Sequence, residues 1–229
     1  MGNAKRKVAI LQSNYIPWKG YFQLISKADV FVFYDIVQYT KGDWRHRNRI
    51  MTFNGPTWLT IPIKKGPTRR IDQVILPEGN WRTSHPNTVR HSYSKTAYQK
   101  DAFDILNRRL TDDSIMMLSD LNQMLIKDIT NYLQLNVEFI NSKDLKPEGQ
   151  RVDRLLDICE KVGADTYLSG PSAKDYITDE FDGSPIELEW IDYGPFPEYD
   201  QIGPEFNHNL SILDLIAHLG PDARKHIII

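Results

Sequence analysis

The side chains best suited to chemistry gather in one stretch, Leu11–Ile50, which reads LQSNYIPWKGYFQLISKADVFVFYDIVQYTKGDWRHRNRI. Carboxamides, aromatics, guanidiniums and a carboxylate mix there more densely than core building requires. Gln12, Asn14, Tyr15, Trp18 and Tyr21 come first, and Asp35, Gln38, Lys41, Trp44, Arg47, Asn48 and Arg49 follow. If the chain is extended, Arg45, Arg47 and Arg49 point to one face, and His46 and Asn48 to the other. A guanidinium fork can bind phosphate or carboxylate bidentately. A salt-bridged edge strand facing the acidic C-terminal region would explain the same spacing without a ligand. Read as a site, Trp18, Tyr21 and Trp44 offer flat aromatic faces to a ligand. Asp35, Gln38 and the more distant His85 form the candidate catalytic group: Asp35 or His85 as base, with Gln38, like Gln12, orienting substrate.

A second candidate is Ser169–Tyr176, SGPSAKDY. Small residues between a strand and a helix expose backbone N–H groups to an anion. Ser169 and Ser172 add hydroxyl donors, Gly170 adds backbone freedom, and Lys174 adds a charge. The glycine spacing fits neither a Walker loop nor a dinucleotide fingerprint. A plain strand-to-helix turn is the alternative.

The remaining reactive types offer less. His85 and His91 are six residues apart, the wrong spacing for an i, i+4 metal pair. His46 sits among cations, which should hold its imidazole neutral. His208, His218 and His226 read as structural or exposed. No ligand spacing suggests a metal cage and no glycine-flanked serine suggests a hydrolase elbow. Cys159 falls on the apolar stripe of a helix and reads as a buried structural thiol.

The elements that must position these residues follow from periodicity. Val8–Leu11 and Val30–Tyr34 are short apolar runs with polar punctuation, the pattern of buried strands. Lys19–Lys27 between them is long enough for about two helical turns. Strand, helix, strand makes a βαβ unit with parallel strands. Ligands of such sheets sit outside the carboxyl ends of the strands, so the polar residues after both runs should share one rim. Further strands are expected at Thr57–Ile63, Ile71–Leu76, Val137–Ile140, Thr166–Leu168 and Ile186–Ile191, with Lys41–Arg49 irregular or bulged and Lys64–Pro67 a turn. A helical middle is expected over about 81–135. Its parts are Trp81–Tyr98, starting near Ser84 because of Pro86, then Asp101–Leu110 and Ser114–Leu135. Ser142–Gln150 reads as a polar loop, Arg151–Gly163 and Ser211–Leu219 as helices, and Asp192–Pro204 as irregular. The whole predicts a single α/β domain over 1–229, a Rossmann-like, mostly parallel sheet with a helical middle layer.

Composition sets outer bounds. The 229 residues are 41% hydrophobic and 25% charged, ordinary for a globular chain. A net charge of -2 gives no reason to expect general nucleic-acid or membrane affinity. No apolar run approaches the roughly 18 residues of a membrane span, and the run after the basic start is too short for a signal-peptide core. Met-Gly-Asn resembles the start of a myristoylation signal, but position six is Arg6. A cytoplasmic location is the expectation. Charge is uneven: Lys41–Arg70 holds eight cations against one acid, and Tyr176–Glu205 holds nine acids with no Lys or Arg. Those stretches are either two solvated or packed surfaces, or an anion-binding rim with acids nearby.

Four blocks carry a resemblance. QSNYIPWKGYFQLISKADVFVFYDIVQYTKGDWRHRNRI, WLTIPI, TYLSGPSAKDYI and LSILDLIAHLGPDA resemble the WbqC-like proteins encoded in bacterial polysaccharide and O-antigen clusters. The resemblance implies an enzyme of surface-polysaccharide biosynthesis, a transferase modifying an amino sugar or nucleotide-linked sugar by acyl or aminoacyl transfer. Its expected partners are a small-molecule substrate, either a nucleotide sugar or an activated acyl donor, and a second copy of the chain; the cofactor is unknown. Leu11 and Ser13 replace a His and a Pro of the family pattern HQPNYLPW, and Asp35 is followed by Ile36 where paired aspartates are usual. Pro17-Trp18-Lys19-Gly20-Tyr21 also matches in spacing the Pro-x-His-x-Gly-His element of class I nucleotidyltransferases, with Trp18 and Tyr21 where the histidines would stand. A scaffold protein of the same pathway and a nucleotidyltransferase-like enzyme are the alternatives.

Overall fold

The computed structural model describes residues 5–228, apart from 65, 176 and 178. Five strands form one fully parallel sheet in the order β5-β2-β1-β6-β7. They are β1 (Lys7–Leu11), β2 (Val30–Phe33), β5 (Glu138–Asn141), β6 (Thr166–Ser169) and β7 (Glu187–Trp190). Val8 pairs with Val30 on one side and Tyr167 on the other, so β1 is central. The chain builds outward from β1 through β2 to β5, then returns to lay β6 and β7 on the opposite side. The order therefore reverses between β1 and β6, and crevices at the carboxyl ends of the strands open at such a point.

Both faces of the sheet are covered, which is why its strands read as continuous apolar runs. Val8, Ile10, Val30, Val32 and Tyr167 face a core shared with Val152, Leu155, Ile158 and Cys159 of α6 (Arg151–Lys161). Ala9, Phe31, Phe33 and Leu168 face the larger core built with α1 (Lys19–Ser26), α2 (Trp81–Ser92), α3 (Gln99–Leu110), α4 (Leu118–Tyr132) and α7 (Ile212–Leu219). Ile115, Leu118, Leu121, Leu125, Ile129 and Leu133, the expected stripe, are all buried there. Cys159 is buried too, and burial pushes its thiol up to about 12.

Several local expectations are corrected. Arg47–Thr52 is a regular strand, β3, and pairs antiparallel with β4, Gly55–Thr60. Gly55 takes a φ of +105° after the Phe53–Asn54 turn, a conformation that suits glycine. Ile71–Gln73 is a 3-10 turn rather than a strand, fastened by the Asp72 amide on the Asp35 carbonyl. Residues 114–117 are not helical, because Ile75 bridges Met117 and the Leu118 amide bonds the Val74 carbonyl. α2 starts at Trp81, upstream of Pro86: the Asn80 carbonyl accepts the Thr83 and Ser84 amides, and the Trp81 indole N–H donates to the Pro77 carbonyl. A short helix, α5 (Ser142–Leu145), occupies the start of the expected polar loop. Asp192–Pro204 is irregular, as its prolines suggest.

Candidate functional site

A cavity of about 690 Å³ opens at the carboxyl ends of β1 and β6, at the point where strand order reverses. Leu11 and Gln12 follow β1 into it, Tyr34 and Val37 follow β2, and Ser169, Gly170 and Ser172 follow β6. Of the residues expected from sequence, Gln12, Trp18, Ser169, Gly170 and Ser172 meet here. Gln12 is held by the Tyr21 hydroxyl, which donates to its carbonyl at 3.0 Å. Tyr21 therefore supports the wall from within the core instead of stacking on a ligand.

Sequence reasoning missed the cations of this cavity. Arg151 and Arg154 line it from the first turn of α6, where backbone N–H groups and the helix dipole already favour an anion. Arg154 donates through Nε and Nη2 to the Gly149 carbonyl at 3.0 and 2.6 Å, which fixes its guanidinium plane. Arg151 has a φ of +50°, a strained conformation for a non-glycine residue. An arginine at each end of one helical turn was the available signal; it resembled any solvated helix start.

Aromatic rings close the other side. Trp18 meets Tyr193 edge-on at 5.3 Å and Phe196 at 5.9 Å. The Tyr193 hydroxyl lies 3.3 Å from where a side chain on Gly170 would begin, so the glycine admits the phenol. Burial pushes that phenol up to about 12, leaving it a neutral donor at pH 7. Ser169 is buried and its hydroxyl donates to the Tyr167 oxygen at 3.3 Å. Pro171–Asp175 forms a 3-10 turn where a longer helix was expected, and Tyr176 lies outside the described residues. Lys174 packs over the Trp190 ring at 5.4 Å and does not line the cavity.

A smaller cavity of about 350 Å³ lies beyond Trp18, lined by Asn14, Pro17, Trp18, Trp44, Asn48, Arg49 and Asn209. Ser211, at the start of α7, assembles it: its amide donates to the Arg49 carbonyl, and the next amide, of Ile212, to the Pro17 carbonyl. Early and late segments therefore converge, as the rim expectation required, but they form two cavities that share one indole. The expectation of a single pocket with Asp35, Arg49 and Lys174 around it is not met.

The three candidate catalytic residues line neither cavity. Asp35 is fully buried, and its carboxylate accepts from the Ser13 amide and from Gln123 Nε2, each at 2.8 Å. Burial raises its pKa, and those two hydrogen bonds pull the other way. His85 is buried on the inner face of α2, with Nδ1 hydrogen-bonded to the Tyr15 hydroxyl at 2.9 Å. Burial lowers His85 to about 4, so it is neutral at pH 7. Tyr15 is fully buried as its partner. Gln38 is exposed and bridges Arg70 on a separate shallow surface with Tyr39 and Lys41. Strand polarity put these residues near the rim, but side-chain direction took Asp35 and His85 inward.

Several other cations have local partners. Arg47 lies 4.4 Å over the Trp58 ring and donates to the Gly42 carbonyl. Arg45 pairs with Asp43, while Glu187 and Glu189 pair with Lys5 and Lys7. His46 is held neutral, by burial first and by Arg47 second. Lys19 is 3% exposed and lies 2.7 Å from His208 Nδ1 and 5.0 Å from the Phe196 ring centre. Burial lowers Lys19 to about 8, although Asp214 and Glu198 favour its charge. Among the described residues no group of three His, Cys, Asp or Glu side chains could hold a metal ion.

Residues 12–226 match the profile described as the WbqC-like protein family. The chain is 37% identical over 225 residues to a Mycobacterium tuberculosis (strain ATCC 25618 / H37Rv) protein named "Uncharacterized protein Rv1507c", covering 97% of each chain. No solved structure matches the chain.

Proposed function

The chain belongs to the WbqC-like protein family, and from that premise we propose an enzyme of bacterial surface-polysaccharide biosynthesis that binds a nucleotide-linked sugar or activated acyl donor in the larger cavity. The observation that carries this reading is the pairing of Arg151 and Arg154 with the Ser169–Ala173 turn across the point where strand order reverses. Guanidiniums, a helix start and serine hydroxyls converge on one end of the space, which suits a diphosphate. Trp18 and Tyr193 supply flat walls for a base or sugar at the other. A volume near 690 Å³ is within the range of about 300–1,000 Å³ that small-molecule sites occupy.

The proposed reaction is acyl or aminoacyl transfer to an amino sugar. The amine attacks the acyl carbonyl, the negative charge that develops on its oxygen is met by hydrogen-bond donors, and the donor's leaving group departs as an anion beside the arginines. Tyr193, neutral at pH 7, can donate to that oxygen. The described lining residues of the larger cavity contain no carboxylate, imidazole, thiol or amine. The acceptor amine therefore enters as the free base, and its proton leaves to solvent or to the leaving group.

That same lining favours one second reading, a pathway protein that binds the activated sugar without turning it over. The proposal places the protein in the cytoplasm, where activated sugars are made; no helix among the described residues is long and apolar enough to cross a membrane. Calorimetric titration with UDP-linked sugars, coenzyme A thioesters and ATP tests the binding step. The expected result is affinity for one class that falls at least about tenfold in Arg154→Gln. Absence of binding by every class removes the reading. Binding without turnover across amino-sugar acceptors selects the second one.

A further inference from the structure

The smaller cavity has its own chemistry. Its volume, about 350 Å³, is at the low end for ligand sites and suits one sugar ring rather than a nucleotide. Two indoles bound it, Trp18 on the side of the larger cavity and Trp44 at the mouth, the latter 43% exposed. Flat aromatic faces match the apolar face of a pyranose. Asn14 receives Arg45 on its carbonyl oxygen, which leaves its amide N–H groups for a ligand hydroxyl. Asn48 is already used within the chain: it donates to the Tyr15 and Ile16 carbonyls, and its oxygen accepts the Arg49 amide.

Arg49 sets the specificity. Its Nε is buried, so the terminal nitrogens are what a ligand in the cavity meets, and Nη2 donates to the Asn209 carbonyl at a long 3.3 Å. Trp58, 5.5 Å from the guanidinium carbon, lies against it. The described lining residues include no acid and no second cation. A single guanidinium fork matches a carboxylate, whereas a phosphate usually draws several cations.

We infer that the smaller cavity is a second subsite, and that it takes a pyranose carrying a carboxylate, a uronic-acid-type sugar, with that carboxylate on Arg49 and the ring between Trp44 and Trp18. Its role as acceptor site rests on the donor reading of the larger cavity and requires that the sugar also carry the amine which the proposed transfer uses; the binding specificity does not. Because Trp18 walls both cavities, the two ligands would lie on opposite sides of one indole.

The test titrates the protein with methyl β-D-glucuronopyranoside and with methyl β-D-glucopyranoside, following tryptophan fluorescence, with and without saturating UDP. The expected result is binding of the uronide at least about tenfold tighter than the neutral glycoside, and loss of that preference in Arg49→Gln. Trp44→Ala, at an exposed position, is expected to weaken both glycosides without loss of fold. The uronide should still bind when UDP is saturating. Equal binding of the two glycosides, no binding, a preference that survives Arg49→Gln, unchanged affinities in Trp44→Ala, or displacement by UDP would each overturn the inference. Failure of UDP alone to bind counts against the donor reading and leaves the uronide subsite standing.

Discussion

The indole of Trp18 lies so close over Gly20 that a β-carbon at position 20 would come within 2.2 Å of the ring. Both residues sit at the start of α1, and the indole is the partition between the two cavities. Glycine here is not required by φ; it is required by the ring.

Gly20→Ala should therefore act on the sites more than on the fold. Alanine gains about 1 kcal/mol of helix propensity over glycine, while overpacking costs about 1–3 kcal/mol. The atoms in the way belong to the outer ring of a half-buried indole, which can swing aside. A net stability change within about 2 kcal/mol is expected, together with a shifted tryptophan emission and weakened binding at both cavities. Urea melts and fluorescence titrations on one sample check both halves. Unchanged ligand affinity would show that Trp18 does not partition the sites.

Asp35→Asn separates a structural carboxylate from a catalytic one. Both oxygens of Asp35 accept, from the Ser13 amide and from Gln123. An amide NH₂ would face one of those donors, leaving a buried N–H unsatisfied at a cost of about 1–3 kcal/mol. A lower urea midpoint with unchanged ligand affinity is the expected outcome. Full stability with loss of turnover would restore Asp35 as the base.

His85 gives the fold a dependence on acid. Its folded pKa, about 4, is below the ordinary value of 6.5. Between those values the unfolded chain binds a proton that the folded chain refuses, so stability is full above pH 6.5 and falls as pH drops toward 4. The loss attributable to this residue is about 3 kcal/mol. His85→Gln, which keeps a polar side chain able to reach Tyr15 but has no titrating group, should flatten that part of the profile. Urea melts at pH 7 and pH 4.5 measure it. Parallel profiles for the two proteins would contradict the burial argument.

What the sequence disclosed follows a physical division. Val8–Leu11 and Val30–Tyr34 were legible because strands buried on both faces must be apolar throughout, and the β1–α1–β2 order followed from crossover rules. The turn after Ser169 was legible because Gly170 and Pro171 interrupt a strand. Asn54-Gly55 marks the turn of the β3–β4 hairpin, but the first strand, Arg47–Thr52, is polar at its start and lacks the apolar run that identifies a buried strand. Asp35 and His85 were misplaced because period and polarity locate a residue along an element but do not say which buried partner, Gln123 or Tyr15, will claim its side chain. Arg151 and Arg154 became visible only when β6 was laid beside β1, a long-range pairing no local window contains.

If the crevice between β1 and β6 holds the anionic end of an activated donor, as proposed, a crystal structure of the protein with UDP or a UDP-sugar will show the diphosphate within hydrogen-bonding reach of Arg154 and of the Ser169–Ala173 turn, with the base or sugar against Trp18 and Tyr193. A nucleotide seated in the smaller cavity, or on the surface away from both arginines, would contradict it.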